Sequence, residues 1–407
     1  MCVWFGGPLR VSPSVSSPNT SWRSVGLVAG WQLTASLSFY AIFAATAFVR
    51  DTFGVSRAMT GVAITAIMLG YTVLLFGAGA AVDGYGEQPV MVVGLLGMAV
   101  GAAGVAYAPT FPLLLVALVV LGLAYASAMP ATNRAIVQAA PEGRRNLAMN
   151  VKQVGVTAGS GVAALLVTGI AATRFGWRAG FLVVAGVALA VAVAFAFGYE
   201  GTTGSETLSL PDVRGLLDDR AYRGLVVSGF FFGAAVFTTT GYVVLHMTES
   251  VGVAAGFAGT VLAAVQVTGS AGRLLGGGLA DRFGGPPVRG PALVLTGQAV
   301  LAAACFLAVV VADAPLAAAA AFPLLGLFIL GFPGVYYATL TAIVDDDEVG
   351  AATAGGQTSL NLGGLVAPPL FGLVVDWHSY DVGWALVAGL TVLAGVVVWT
   401  RVMPRQQ

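Results

Sequence analysis

Charged side chains punctuate this sequence, and the stretches between them are long, apolar and uncharged. A helix needs about 20 apolar residues to cross about 30 Å of hydrocarbon. Residues 24–49 carry no charge and predict a first span, and residues 58–82 a second. Residues 88–133 are also uncharged but too long for one crossing. The segment Tyr107-Ala-Pro-Thr-Phe-Pro112 divides them into spans 3 and 4. Residues 148–172 and 179–199 predict spans 5 and 6. A hydrophilic stretch at 200–222 then interrupts the pattern at the middle of the chain. Six further spans follow, at 224–248, 252–280, 290–312, 315–343, 349–375 and 382–400. Barrel strands would be about ten residues long with alternating polarity, and these runs have neither property. The predicted fold class is therefore an all-α membrane protein with twelve transmembrane helices.

Composition sharpens this picture. Hydrophobic residues make up 58% of the chain and charged residues 9%, against about 25% charged in a soluble domain. So few charges could not cover the surface of a soluble protein of this length, so the apolar runs must face lipid. The net charge is zero, which leaves no basic field for nucleic acid. Cys2 and Cys305 lie far apart and suggest neither a disulfide framework nor a metal site. No cofactor is expected. There is no H-E-x-x-H, no pair of intramembrane Asp and no nucleophile–His set, so an enzyme is not expected either.

The distribution of basic residues orients the spans. With the N-terminus inside, fourteen Lys and Arg fall on inner segments and four on outer ones, Arg50, Arg57, Arg174 and Arg178. Both termini are then cytoplasmic, as in a multi-pass protein of the cell membrane. The expected organisation is a disordered cytoplasmic tail (1–24), an N-terminal six-helix half (25–199), a cytoplasmic linker (200–222) and a C-terminal six-helix half (223–407). A monomer is expected, with lipid and a small solute as its partners.

The two halves echo each other. Gly79, Asp83 and Gly86 follow span 2, and Gly277, Asp281 and Gly284 follow span 8, each offset by 198 residues. Gly176-Trp177 precedes span 6 and Gly383-Trp384 precedes span 12. Gly277-Gly-Leu-Ala-Asp281-Arg282-Phe-Gly284 resembles the G-x-x-x-D-R-x-G loop of the major facilitator superfamily. The first copy is degenerate, with Gly84 in place of the Arg and Glu87-Gln88 in place of the usual basic pair. The resemblance covers nearly the whole chain. It implies two pseudo-symmetric halves, alternating access, and a substrate site near the midplane between them. The glycines would let helices approach closely at a cytoplasmic gate, and Asp83 would pair with Arg134 at the inner end of span 4.

Arg273 is the candidate of most interest for substrate binding. It precedes Asp281 by eight residues, about 12 Å along a helix, which places it near the middle of the membrane. A charge there needs a cavity or a partner, and its flanks contain no acid. Gly272-Arg273-Leu-Leu-Gly-Gly277 also resembles the span 8 G-R-x-x-x-G of the monocarboxylate and oxalate transporter branches, in which the Arg binds substrate carboxylate. The alternative is snorkelling, or a bond to another helix's carbonyl. Lys152-Gln153-Val-Gly155 resembles the K-Q-T-G element of cyanate-type facilitators, and Lys152 also reads as an ordinary positive-inside residue. Tyr40, Tyr71, Tyr125, Tyr337, Gln357 and Asn361 are candidates to line the cavity, with interhelical packing as their alternative. His246 reads as an interfacial histidine.

The leading expectation is a transporter of a small organic anion, monocarboxylate-like. Export of amphipathic or drug-like compounds and uptake of an inorganic anion such as nitrate are the alternatives. No carboxylate lies deep in a predicted span, so no proton relay is evident.

Overall fold

The computed structural model describes residues 21–202, 204, 215–283, 285–345 and 348–403. These residues form fourteen α-helices and one 3-10 turn, with no strand among them. The expected tail (1–24) lies outside the described residues up to position 20, and so do 203 and 205–214 of the expected linker. α1 is Trp22–Phe53, α2 Arg57–Tyr85, α3 Glu87–Tyr107, α4 Phe111–Tyr125, α5 Ala128–Ala139, α6 Arg145–Ala171 and α7 Gly176–Gly198. α8 is Arg220–Glu249, α9 Ala255–Ala280, α10 Arg289–Val310, α11 Pro315–Ile329, α12 Phe332–Thr341, α13 Val349–Trp377 and α14 Tyr380–Arg401. α1 and α8 each begin earlier than the apolar runs do, because a polar side chain caps them. Ser21 accepts from Ser24 N–H, and Asp219 accepts from Ala221 and Tyr222 N–H.

α4 with α5 forms one crossing, and α11 with α12 forms another, which makes twelve crossings in all. Each of these two is broken at mid-depth, where the hydrophobic pattern predicts a continuous helix. The cause is a proline just past each break. Pro130 and Pro333 lack an N–H, and each ring would clash with the carbonyl four residues earlier, at Ala126 and Ile329. The chain yields at Ala126–Ser127 and at Leu330–Gly331.

Eleven crossings are long and apolar enough to span a bilayer by those measures alone. The twelfth, α9, has 26 residues. Its Thr260, Gln266, Thr268, Ser270, Arg273 and many glycines dilute its apolar character. α9 packs against α6, α11 and α8, so part of its surface meets protein rather than lipid.

The packing repeats from half to half. α1 lies on α6, α2 on α4 and α3 on α7, while α8 lies on α13, α9 on α11 and α10 on α14. The halves meet through α2 with α13, α6 with α9, and α1 with α8. Trp22 and Arg401 share one face of the bundle, here the near face. There Ser21 N–H donates to Ala139 at 3.1 Å. At the opposite, far face, α1 turns into α2 and α8 into α9.

Candidate functional site

Three groups of polar side chains stand out: one at mid-depth and one at each face. The mid-depth group is built by α1, α2, α4, α9, α12 and α13. Gly272 packs against the backbone of Leu327 and Gly331, closer than any side chain would permit. This presses α9 onto the α11–α12 break. The break leaves Leu330 carbonyl free, and Arg273 Nε donates to it at 3.0 Å. The two terminal guanidinium nitrogens have no hydrogen bond or ion pair among the described residues. Arg273 is only half-buried, so the open end of its fork faces accessible space. The carbonyl bond and the unoccupied fork coexist, because they use different nitrogens.

Tyr40, Tyr337 and Tyr125 lie within electrostatic reach of this guanidinium. Phe39 stacks on Tyr125 with ring centres 4.1 Å apart, and Tyr71 meets Tyr125 edge-on at 5.2 Å. Across the divide, Tyr337 hydroxyl donates to Gln357, whose amide donates to Asn361 Oδ1 at 2.8 Å. Asn361 is fully buried, and its Nδ2 has no partner. Phe43 of one half and Phe237 of the other close the group, 6.2 Å between centres. Arg273, Tyr40, Tyr71, Tyr125, Gln357 and Asn361 thus come together from both halves.

Lys152 and Gln153 do not join this group. Lys152 is fully buried and donates to Asn133 Oδ1 at 2.6 Å. Gln153 Oε1 is buried without a partner. His246 is buried too, three residues before the far-face end of α8. Its Nδ1 accepts from Trp384 Nε1 at 3.2 Å, and Tyr380 and Phe322 pack edge-on against its ring. A small cavity beside it, lined by His246, Ser250, Val309, Asp313 and Asp381, is walled by the C-terminal half alone. It cannot serve a solute passing between the halves.

At the far face, ion pairs join the halves. Glu249, ending α8, takes Arg50 Nη1 at 2.7 Å and Arg57 Nε at 2.7 Å. Tyr380 hydroxyl donates to the same carboxylate at 2.8 Å. Asp376, near the end of α13, accepts from the first two N–H groups of α2, Arg57 at 3.2 Å and Ala58 at 3.0 Å. Its charge lies at a helix N-terminus, where the dipole favours it. Tyr242 hydroxyl lies 2.7 Å from Arg57 carbonyl and 2.9 Å from Pro368 carbonyl. Neither Glu249 nor Asp376 stands out in the sequence, since their partners lie 192 and 319 residues away.

At the near face, the ion pairs among the described residues stay within one half. Arg134 lies 3.5 Å from Asp83 and 3.2 Å from Glu87. Glu87 is fully buried and takes Thr202 N–H at 2.8 Å, Thr202 hydroxyl at 2.7 Å and Tyr199 hydroxyl at 3.3 Å. Burial, and then this carboxylate, raise the Tyr199 phenol above its usual range and keep it a donor. The degenerate loop is thus internally consistent. Glu87 supplies an acid where the superfamily motif has a base, and it meets the same Arg134. Gly86 closes the turn with φ +86°, in the left-handed region that favours glycine.

The gating expectations need correction elsewhere at this face. Gly79 and Gly277 have no other atoms within 4 Å of where a Cβ would sit, so neither mediates a close approach. Asp281 and Arg282 are exposed and make no side-chain hydrogen bond or ion pair among the described residues. Gly284 lies outside the described residues. Among the described residues, no hydrogen bond or ion pair joins the halves on the near-face side of the mid-depth contact between Thr157 and Ser270.

The fold, twelve crossings in two six-helix halves, is matched by the comparisons. The family profile described as Major Facilitator Superfamily matches residues 28–334 and 225–407. The chain belongs to that superfamily. It is accordingly a multi-pass membrane transporter and not an enzyme. A relative named hexuronate transporter, from Bacillus subtilis (strain 168), is 22% identical over 384 residues, covering 89% of this chain and 90% of its own. Among solved structures, a bacterial homolog to the human lysosomal transporter Spinster, in an inward-facing and occupied conformation, aligns with TM-score 0.78. It is 15% identical and covers 95% of this chain and 97% of that one. The same homolog in an inward-facing and unoccupied conformation aligns with TM-score 0.74 and 16% identity, covering 93% and 95%. These two likenesses establish the fold alone.

Proposed function

We propose that this superfamily member carries a small organic anion, a hydroxyl-bearing monocarboxylate, whose carboxylate binds Arg273 between the halves. The observation that carries the reading is the geometry of Arg273. Its Nε is tethered to Leu330 carbonyl, which aims the planar fork, and both terminal nitrogens are left for a ligand. A carboxylate accepts two parallel N–H bonds from such a fork, which Lys cannot reproduce. Tyr40, Tyr125, Tyr337, Gln357 and Asn361 surround the position with hydroxyl and amide groups suited to hydroxyls on the solute. The hexuronate transporter relative supports the same class, since a hexuronate carries one carboxylate and several hydroxyls.

In this reading the near face is cytoplasmic, as the excess of basic residues there favours, and the protein resides in the cell membrane. Transport alternates between this arrangement, open to the near face, and one in which the far-face ion pairs part and the near-face loops meet. Asp83 and Asp281 are then the gating acids of the second arrangement.

Proteoliposome uptake with D-glucuronate, L-lactate and nitrate tests the proposal. D-glucuronate should be taken up best. Arg273→Ala should weaken its binding about 10- to 150-fold, the equivalent of about 1.5–3 kcal/mol for a charge-assisted contact. Arg273→Lys should impair transport strongly as well. Unchanged uptake of every anion by Arg273→Ala would defeat the reading.

A further inference from the structure

α13 carries two consecutive prolines inside the helix, Pro368 and Pro369. A helical carbonyl is bonded by the N–H four residues on, or in a tighter turn by the N–H three residues on. For the carbonyl of Leu365 those positions are Pro369 and Pro368, and neither has an N–H. It is the one carbonyl of α13 that loses both donors. Inside a membrane such a group must find another partner, and a hydroxyl on a neighbouring helix is one that can serve.

The missing donor comes from the other half. Thr65 hydroxyl, on α2, donates to Leu365 carbonyl at 2.5 Å. A helical threonine has an alternative closer to hand, the carbonyl four residues back on its own helix. Thr60 and Thr72 both take it, bonding the carbonyls of Ser56 and Met68. Thr65 instead passes over Gly61 carbonyl and reaches across the divide.

Glycines bring the two helices close enough for this. Gly61 packs on the backbone of Pro368 and Pro369, and Gly372 on that of Arg57, closer than any side chain would permit. The helices run antiparallel, with Arg57 beside Gly372, Gly61 beside Pro368 and Thr65 beside Leu365. Thr65 lies eight residues after Arg57, about 12 Å below the far-face ion pairs. The bond joins the halves without any charge. The corresponding pair on the other side of the bundle, α6 and α9, contains no proline, and its Thr157 and Ser270 meet hydroxyl to hydroxyl.

We propose that Pro369 and Thr65 form a conformational device: Pro369 strips Leu365 carbonyl of its helical partner, so that α13 has this carbonyl satisfied by protein only when the far face is closed on Thr65. When the halves part there, Thr65 turns back to Gly61 carbonyl, and Leu365 carbonyl is left to entering water. With a donor at position 369, α13 would satisfy Leu365 internally and gain nothing from Thr65. The proline thus favours far-face closure independently of the ion pairs above it. The inference rests on the alternation of the two faces proposed above.

The test measures distances between spin labels at the far ends of α1 and α13 in the full chain, with thermal melting of the same samples. Thr65→Val should shift the population toward far-face opening about 3- to 20-fold. Thr65→Ser keeps the hydroxyl and should match the wild type. Pro369→Ala should shift the distances in the same direction as Thr65→Val without lowering the melting temperature, because the helix regains an internal bond. Adding Thr65→Val to Pro369→Ala should shift the distances no further, since the two substitutions remove one interaction. Distances unchanged by Thr65→Val and by Pro369→Ala, with Glu249→Gln still lengthening them, would overturn this inference and leave the alternation of the faces in place. Distances unchanged by all three would overturn both.

Discussion

The two faces of the bundle use the same chemistry to different ends. At the far face, Glu249 and Asp376 of the C-terminal half hold Arg50 and Arg57 of the N-terminal half. At the near face, Asp83 and Glu87 hold Arg134, which belongs to their own half. Ion pairs across a dividing surface stabilise one arrangement of the halves. Ion pairs within a half stabilise the half and move with it. In the alternating-access reading proposed above, the far-face cluster is a latch that opens in each transport cycle, whereas the near-face cluster is a brace that need not. Position along the chain does not distinguish them, since both sit at helix ends beside short turns.

This contrast can be broken by mutation, and the largest effect should come from Glu249→Gln. It removes the charge that holds Arg50, Arg57 and Tyr380 together. A partly buried carboxylate with three partners should contribute about 2–3 kcal/mol, a shift of about 30- to 150-fold toward far-face opening. Distances between spin labels at the far ends of α1 and α13 would show the longer population growing. An unchanged distance distribution would mean that the ion pairs are not a latch.

Asp376→Ala should act in the same direction with a smaller effect. It uncaps the first turn of α2 and loosens Arg57, at a cost of about 1–2 kcal/mol, and the same labels should report it. Tyr242→Phe should shift the equilibrium least among the three, by about 1 kcal/mol, for the loss of its bonds to Arg57 and Pro368 carbonyls.

Glu87→Gln sharpens the comparison from the other side. It should leave the far-face distances unchanged and lower the melting temperature of the detergent-solubilised protein, because Arg134, Thr202 and Tyr199 lose a buried charged acceptor. If it instead opened or closed the halves, the distinction between brace and latch would fail.

Several candidate residues of the mid-depth group were legible in the sequence alone. Arg273 could be identified from a charge within an apolar run and its spacing from Asp281, both local properties of a helix in lipid. Tyr40, Tyr71, Tyr125, Gln357 and Asn361 could be named as polar groups in spans, but not which of them converge. Each helix presents one face to the cavity, and a nearly uniform apolar sequence does not reveal which face that is. Lys152 shows this limit clearly. One residue from Gln153 and a few from the near-face arginines, it looks like another interfacial charge, yet the rotation of α6 buries it against Asn133. The breaks in spans 4 and 10 could have been read from Pro130 and Pro333. They were obscured because the apolar pattern runs straight through them.

The sequence by itself determined that this is a membrane protein of twelve crossings in two related halves, with a cation at mid-depth. These follow from the length of the apolar runs, the 198-residue repeat and the cost of charge in hydrocarbon, all of which act along the chain. Only the tertiary structure decided which charges pair across the halves, which pair within one, and that Arg273 is tethered by one nitrogen and open at two. Those outcomes depend on helices brought together from hundreds of residues apart, and on a carbonyl freed where Pro333 breaks a helix. No local pattern encodes either one.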